Sequence, residues 1–196
     1  MNQLNNGCPE LTGHTRAAKA DVVTGYMTEQ DTGSAVDLGR QAGADVKVLM
    51  VPNGYGSLNR SLDWPTGSYT FLPYHPFVSR SPAAAHFLAA MHQFAPQVTP
   101  ATSNMAVIGW LAADMFIRGL REAGPCPTRA SFIQGLRHVE DYNADGLLVN
   151  RIDFSRNRGV SDLCFSFVQY DGAAKGWHAV SGADPFCGTR LTTPAS

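Results

Sequence analysis

Charge is scarce in this sequence, and its two signs nearly cancel. Lys and Arg number 15 and Asp and Glu number 16, which gives a formal net charge of −1 over 196 residues. Proteins that bind nucleic acid or anionic membranes through electrostatics carry a clustered basic excess instead. The composition therefore gives no basis for nucleic acid or an anionic membrane surface as a partner.

Long apolar runs and common catalytic motifs are also absent. No apolar run approaches the ~20 residues of a membrane-spanning helix. The first residues, MNQLNNGCPELTGH, lack the basic and apolar regions of a secretory signal. The sequence contains no GxSxG motif, no P-loop and no GxGxxG. We therefore predict no catalytic residues and no cofactor, although an α/β hydrolase-like enzyme stays an alternative.

Metal-binding patterns are missing as well. The cysteines have no CxxC spacing, which argues against zinc. They are Cys8, Cys126, Cys164 and Cys187. Their even number permits two disulfides, and free thiols are equally compatible with it. His75, His86 and His92 form no obvious metal set, because the last two lie six residues apart on different faces of a predicted helix. We predict no metal site.

The most informative stretch is residues 41–57, QAGADVKVLMVPNGYGS. Its apolar run from Val46 to Val51 is too short for a helix, which predicts a strand buried on both faces in a parallel α/β sheet. Pro52 cannot donate to a strand ladder and ends the strand. Ligands of open α/β sheets bind beyond the carboxyl ends of the strands. The residues at this predicted rim are Asn53, Gly54 and Tyr55.

A strand, a helix and this second strand form one predicted unit. Residues 21–25, DVVTG, are typical of a short strand. Apolar residues at spacings of three and four predict a helix that ends at Gly43; they are Ala35, Leu38 and Ala42. Such a connection is right-handed and joins parallel strands. Gly25, Tyr26 and Met27, at the end of the first strand, therefore belong to the same sheet edge as the rim.

Three helices are predicted in the second half. Ser81 followed by Pro82 is a helix start. Its expected buried stripe is Phe87, Leu88, Met91 and Phe94. Residues 104–122 form the longest helix, apolar on most faces around Asp114, which predicts burial against more than one neighbour. Thr128 caps the third helix. Further strands are predicted at 69–72, 147–154, 163–170 and 178–180.

Six segments follow one another in a specific order. They are QAGADVKVLMVPNGY, GSYTFLPYHPF, IGWLAADMFIRGLREAG, CPTRASFIQGLR, YNADGLLVNRIDF and CFSFVQY. In this order they resemble the solute-binding proteins of ABC transporters of the branched-chain amino-acid type, which have the type I periplasmic-binding fold. The resemblance covers residues 18–190 and is to the second half of such a protein, so the chain is expected to lack the first half.

The resemblance implies an α/β fold with two incomplete Rossmann-like lobes and mainly parallel sheets. Residues 1–72 would be part of the second lobe, and residues 73–146 the crossover and the helical return to the first lobe. Residues 147–196 would be the third crossover and the final strands of the second lobe. Because parts of both lobes are missing, we expect open strand edges and bare apolar faces to drive self-association.

The resemblance also implies a function. The chain would be the substrate-binding component of an ABC importer, or a truncated remnant of one, located outside the cytoplasm with a membrane permease as partner. It would bind a small polar ligand, such as an amino acid or an amide, between the lobes. A ligand-sensing domain of a receptor is another alternative, because the same fold serves there.

Individual residues take roles from the same resemblance. The expected ligand-binding residues are Gly25, Tyr26, Met27, Asn53, Gly54 and Tyr55, and the expected hinge residues are Tyr74 and His75. Asn53 stands where amino-acid-binding relatives place a carboxylate, which favours a neutral or amide-like ligand. Cys164 and Cys187 could pair in an exported protein. Two further readings come from the residues alone: Asp114 is a partly exposed or capping residue rather than a general base, and Cys126 lacks the motif of a reactive thiol.

Overall fold

The computed structural model describes residues 13–25, 37–51, 55, 67–156, 160–180 and 184–190. Residues 13–17 (α1) and 37–41 (α2) are helical. The longer helices are α3 (Pro82–Phe94), α4 (Asn104–Ala123) and α5 (Arg129–Arg137). The strands are β1 (Val22–Thr24), β2 (Val48–Met50), β3 (Ser68–Leu72), β4 (Cys164–Asp171), β5 (Gly176–Ala179) and β6 (Phe186–Cys187). Several residues singled out from the sequence lie outside the described part: Cys8, Tyr26, Met27, Ala35, Pro52, Asn53 and Gly54.

The chain divides into two compact units. Unit 1 comprises Met1–Phe71 and Phe167–Val180, and unit 2 comprises Leu72–Ser166 and Ser181–Ser196. The chain therefore passes between the units at three points, and two of these points fall inside β3 and β4. The assignment of these units to the lobes of the predicted fold stays a prediction.

Unit 1 is built on a sheet with the strand order β1-β2-β3-β4-β5. β1 pairs with β2 in parallel, with Val23 opposite Leu49, and β2 pairs with β3 in parallel. β4 and β5 are antiparallel, with Tyr170 opposite Trp177. The predicted α/β class with a mostly parallel sheet is confirmed, and so is the parallel pairing of the strands on either side of α2.

The core of unit 1 comes from the apolar run that was predicted to be a buried strand. Leu49 is 0% exposed and Val51 is 1% exposed. The cluster also contains Ala44, Val46 and Tyr170, with Val23 and Trp177 packed against it. The strand itself is shorter than predicted, three residues, and Val48 and Met50 are only half-buried. The hydroxyl of Thr70 donates a hydrogen bond to the carbonyl of Val51 and so ties β3 to the end of this strand.

Unit 2 contains the three long helices, and their predicted starts are confirmed. The Ser81 side chain accepts a hydrogen bond from the Ala84 N–H, with Pro82 in the first turn. Thr128 and Ser131 form a capping box at α5. Gly119 allows α4 and α5 to come close, because a Cβ there would clash with the Phe132 ring. β6 pairs antiparallel with the start of β4.

Three sequence predictions about unit 2 are wrong. Residues 147–154 are not a strand: they follow a 3-10 turn, Ala144–Gly146, and within the described residues they make only isolated bridges. Phe94 is exposed rather than buried, because it lies in the last turn of α3. The long helix α4 is not buried on several sides. Met105 is 69% exposed and Phe116 is 56% exposed, so one broad apolar face of α4 is open to solvent.

Candidate functional site

The carboxyl ends of β1 and β2 meet at one edge of the sheet in unit 1. Thr24 pairs with Met50, so Gly25 and Val51 follow side by side at this edge. Of the six residues predicted to contact a ligand here, Tyr26, Met27, Asn53 and Gly54 lie outside the described residues. The structure thus places the two strand ends together, and the role of the rim stays a prediction.

Tyr55 packs within unit 1. Its side chain is 6% exposed, and its ring meets Trp177 edge-on at 6.3 Å between centroids. Trp177 in turn contacts the ring of Tyr170 at 5.5 Å. Sequence reasoning left the packing and ligand-facing roles of Tyr55 equally open, and it did not single out Trp177. The nearest signal was the short strand predicted at 178–180, which begins one residue after Trp177, whereas the strand in the structure includes it.

The predicted hinge residues lie just after the first passage between the units. Tyr74 is buried, bridges to Leu148 in antiparallel fashion and contacts the ring of Phe77. The backbone N–H of His75 donates to the carbonyl of Leu147. These backbone bonds fix the start of unit 2 to the segment after the 3-10 turn. A hinge role stays a prediction for both residues.

A pocket of about 240 Å³ opens in unit 2, and we call it the unit 2 pocket. It lies among the start of α3, the middle of α4 and the 3-10 turn. Its lining residues are Pro82, Ala83, His86, Trp110, Asp114, Ala144, Asp145 and Leu147. Trp110 and Asp114 are four residues apart, so they share one face of α4. Lys and Arg are absent from these lining residues.

Aromatic packing holds the indole of Trp110 in place. Its ring meets Phe87 edge-on at 5.3 Å and His86 edge-on at 6.2 Å. Phe87 is fully buried and is anchored in turn by stacking with Phe77. The indole is thus fixed from α3, and the pocket is built on two helices rather than on loops.

The 3-10 turn presents a second carboxylate to the pocket through an unusual backbone. Ala144, Asp145 and Gly146 all have positive φ, at 50°, 52° and 87°. Side chains other than Asn and Asp seldom adopt this conformation. Ala144 and Leu147 are buried, whereas Asp145 is exposed. The buried neighbours therefore hold the turn while Asp145 stays open to solvent.

Two carboxylates, Asp114 and Asp145, set the electrostatics near the pocket. Burial raises the pKa of the Tyr142 phenol above its ordinary value, and the hydrogen bond to Asp114 and the charges of Asp114 and Asp145 raise it further. The oxygen of the same phenol also lies 3.4 Å from the carbonyl oxygen of Leu111. No salt bridge to Asp114 or Asp145 occurs within the described residues.

The sequence approach missed the unit 2 pocket as a site. It noted Asp114 alone, as a partly exposed or capping residue, and the structure shows a half-buried Asp114 beside Tyr142. The available signal was the four-residue spacing of Trp110 and Asp114, an aromatic and a carboxylate on one helix face. Asp145 could not be linked to them, because it comes from a distant segment.

The described part of the chain also answers the questions about metal sites, cysteine pairing and membrane-spanning helices. No group of three or more His, Cys, Asp or Glu side chains there could hold a metal ion. Cys164 and Cys187 form a disulfide, and Cys126 is a free, exposed thiol. Among the described helices, none combines the length and apolarity that crossing a bilayer requires.

Comparisons with known proteins agree with this architecture. The family model described as "Periplasmic binding protein" matches residues 12–176. A solved structure, the fatty acid ABC transporter substrate-binding protein from Thermomonospora curvata, aligns with a TM-score of 0.70 and 18% identity. The alignment covers 92% of this chain and 46% of that chain, so the present chain spans less than half of that protein. No curated protein matches.

Proposed function

The chain belongs to the periplasmic binding protein family, and from that premise we propose that it is a solute-binding component of an ABC importer. The observation that carries the proposal is the family match over residues 12–176. The chain would supply the second half of such a protein, in line with its 46% coverage of the solved relative. Its action would be capture and release of a solute, without covalent chemistry.

The proposed ligand-binding rim is the carboxyl edge of β1 and β2. Gly25 and Val51 follow paired strands at this edge, which is where parallel α/β sheets place ligands. The proposed contact residues are Gly25, Tyr26, Met27, Asn53, Gly54 and Tyr55. The Tyr55 ring also packs edge-on against Trp177.

The proposed solute is a small polar molecule of the amino-acid or amide type. Asn53 offers an amide where a carboxylate would be needed to neutralise a buried ammonium, so a neutral amide suits this rim better than a charged amine. A neutral side chain likewise does not repel the carboxylate of a fatty acid, the solute for which the Thermomonospora curvata protein is named. The two solute types are therefore compared in the test below.

The proposed location is outside the cytoplasm, with a membrane permease as partner. The Cys164–Cys187 disulfide supports this location, because disulfides persist mainly in oxidising compartments. Tyr74 and His75 are the proposed hinge, since they follow the passage from unit 1 to unit 2.

Calorimetric titration of the purified chain tests the rim. We expect leucine, propionamide or octanoate to give saturable binding, and the double substitution Tyr26→Ala with Asn53→Ala to abolish it. Gln93→Ala, an exposed change on α3, is the matched control and should bind as the wild type does. Binding that survives the double substitution, or no binding of any of the three solutes to a folded chain, overturns the proposal.

A further inference from the structure

We propose that the unit 2 pocket is a binding site for a small organic ammonium cation. This goes beyond the proposed function, because the described residues that line this pocket all belong to unit 2, whereas the proposed rim follows strands of unit 1. The assignment rests on three features of the pocket: its charge, its aromatic wall and its size.

Two carboxylates give the pocket its negative charge. Asp114 and Asp145 approach it from different segments, α4 and the 3-10 turn. Neither Lys nor Arg is among the described residues that line the pocket, and neither carboxylate forms a salt bridge in the described part of the chain. The raised pKa of Tyr142 reports the same negative surroundings, after the effect of burial. A cation entering the pocket would be attracted, and an anion repelled.

The aromatic wall distinguishes an organic cation from a metal ion. Trp110 is the best of the aromatic side chains for cation–π contact, and Phe87 and His86 hold its ring edge-on. Its neighbours in the pocket include the apolar side chains of Ala83 and Leu147. Carbon-rich ammonium groups make contacts with such a wall that a hydrated metal ion does not. The described residues also offer no set of three metal-ligating groups.

The size of the pocket limits the ligand. Its volume of about 240 Å³ lies below the roughly 300–1,000 Å³ of sites that take drug-sized molecules. A single ammonium head with a few carbons fits this size. His86 is exposed at the edge of the pocket, and its ring nitrogens can hydrogen-bond a polar substituent of the ligand.

The test compares choline with its uncharged isostere, 3,3-dimethylbutanol, by titration calorimetry. We expect saturable choline binding that weakens with added salt, and an isostere that binds at least about tenfold more weakly. Equal binding of the two compounds, or no choline binding up to about 10 mM, overturns the proposal.

Two variants locate the site. Asp145→Asn should weaken choline binding roughly three- to tenfold, because it removes one charge while Asn tolerates the positive φ of this position. Asp114→Asn should have a similar effect. Asp162→Asn, an exposed change of the same kind elsewhere in unit 2, is the control and should bind choline unchanged.

Choline binding that both pocket variants leave intact contradicts the assignment. The rim variant Tyr26→Ala with Asn53→Ala should not affect it, so failure here is distinguishable from failure of the proposed function.

Discussion

The two units of the chain differ in where they place their apolar side chains. In unit 1, Leu49 in strand β2 and Val51 just after it are almost completely buried. In unit 2 the longest helix exposes Met105, Ile108 and Phe116. Helices of globular proteins normally turn their apolar stripe towards the core. The difference indicates that unit 1 has a covered core, whereas α4 has an apolar face that no described part of the chain covers.

The apolar side of α4 faces solvent, whereas the side that contains a carboxylate is half-buried. Small residues, Gly109 and Ala112, lie exposed between Ile108 and Phe116, which makes the open face uncharged over about three turns. The side that contains Asp114 is instead half-buried beside Tyr142. An exposed apolar surface of this kind marks an interaction site or a liability for aggregation.

Truncating one apolar side chain in each unit should give the largest difference between the units in the free energy of unfolding. Leu49→Ala is expected to lower the free energy of unfolding by about 2–5 kcal/mol, because it opens a cavity in the core of unit 1. Met105→Ala, on the open face of α4, should change it by less than about 0.5 kcal/mol. Urea unfolding of both variants checks this. Equal losses would remove the distinction between the two regions.

A matched pair of glycine substitutions in α4 should have effects of opposite sign. Gly119→Ala places a methyl group against the Phe132 ring and is expected to cost about 1–3 kcal/mol. Gly109→Ala meets no atom within 4 Å and should stabilise the helix by up to about 1 kcal/mol. Thermal unfolding of the two variants measures the difference. A destabilising Gly109→Ala would mean that the open face of α4 is covered in solution.

The isolated chain should self-associate through the open face of α4. Light scattering during gel filtration should report a mass that rises with concentration, together with binding of a hydrophobic dye. Replacing Ile108 and Phe116 by Ser should weaken association at least about tenfold, which is ~1.4 kcal/mol. The control is Val22→Ser, an exposed apolar position in unit 1. A monomer with a sharp, cooperative melt and no bound dye would contradict the expectation.

The smallest expected effect concerns acid stability at the β4–β5 turn of unit 1. The backbone N–H groups of Ala174 and Ala173 donate to Asp171 and hold the pKa of its carboxyl below the ordinary 3.8. When folding lowers the pKa of a carboxyl, the carboxyl stabilises the folded state at a pH above its ordinary pKa. This stabilisation is lost as the pH falls through the folded-state pKa. Asp171→Asn should therefore flatten the fall in stability below about pH 4. An unchanged acid slope would show that the turn contributes nothing to it.

The parts of the fold that could be predicted from the sequence depend on local signals. Ser81-Pro82 and Thr128 mark helix starts through side-chain hydrogen bonds to nearby backbone, and the structure has those bonds. The buried run around Leu49 is equally local, since its length and residue types together favour a covered strand. Such features need no knowledge of distant neighbours.

The wrong or missed predictions concern interactions between residues that are distant in the sequence. Residues 147–154 have strand-like composition, but the left-handed turn at Ala144–Gly146 redirects the chain before them. The burial of α4 was inferred from its apolar composition, and that inference assumes a neighbour on every apolar face. The unit 2 pocket combines three separate segments, so the spacing that relates Trp110 to Asp114 could not bring in Asp145.

Strand β4 carries a consequence for how the protein comes apart. Its first residues lie in unit 2 and its last in unit 1, and Cys164 at its start is bonded to Cys187. A protease that nicks the exposed turn at Ala173–Lys175 leaves the two pieces covalently attached through that bond. On a denaturing gel the nicked molecule would run as one species, and a second band would emerge only after thiol reduction.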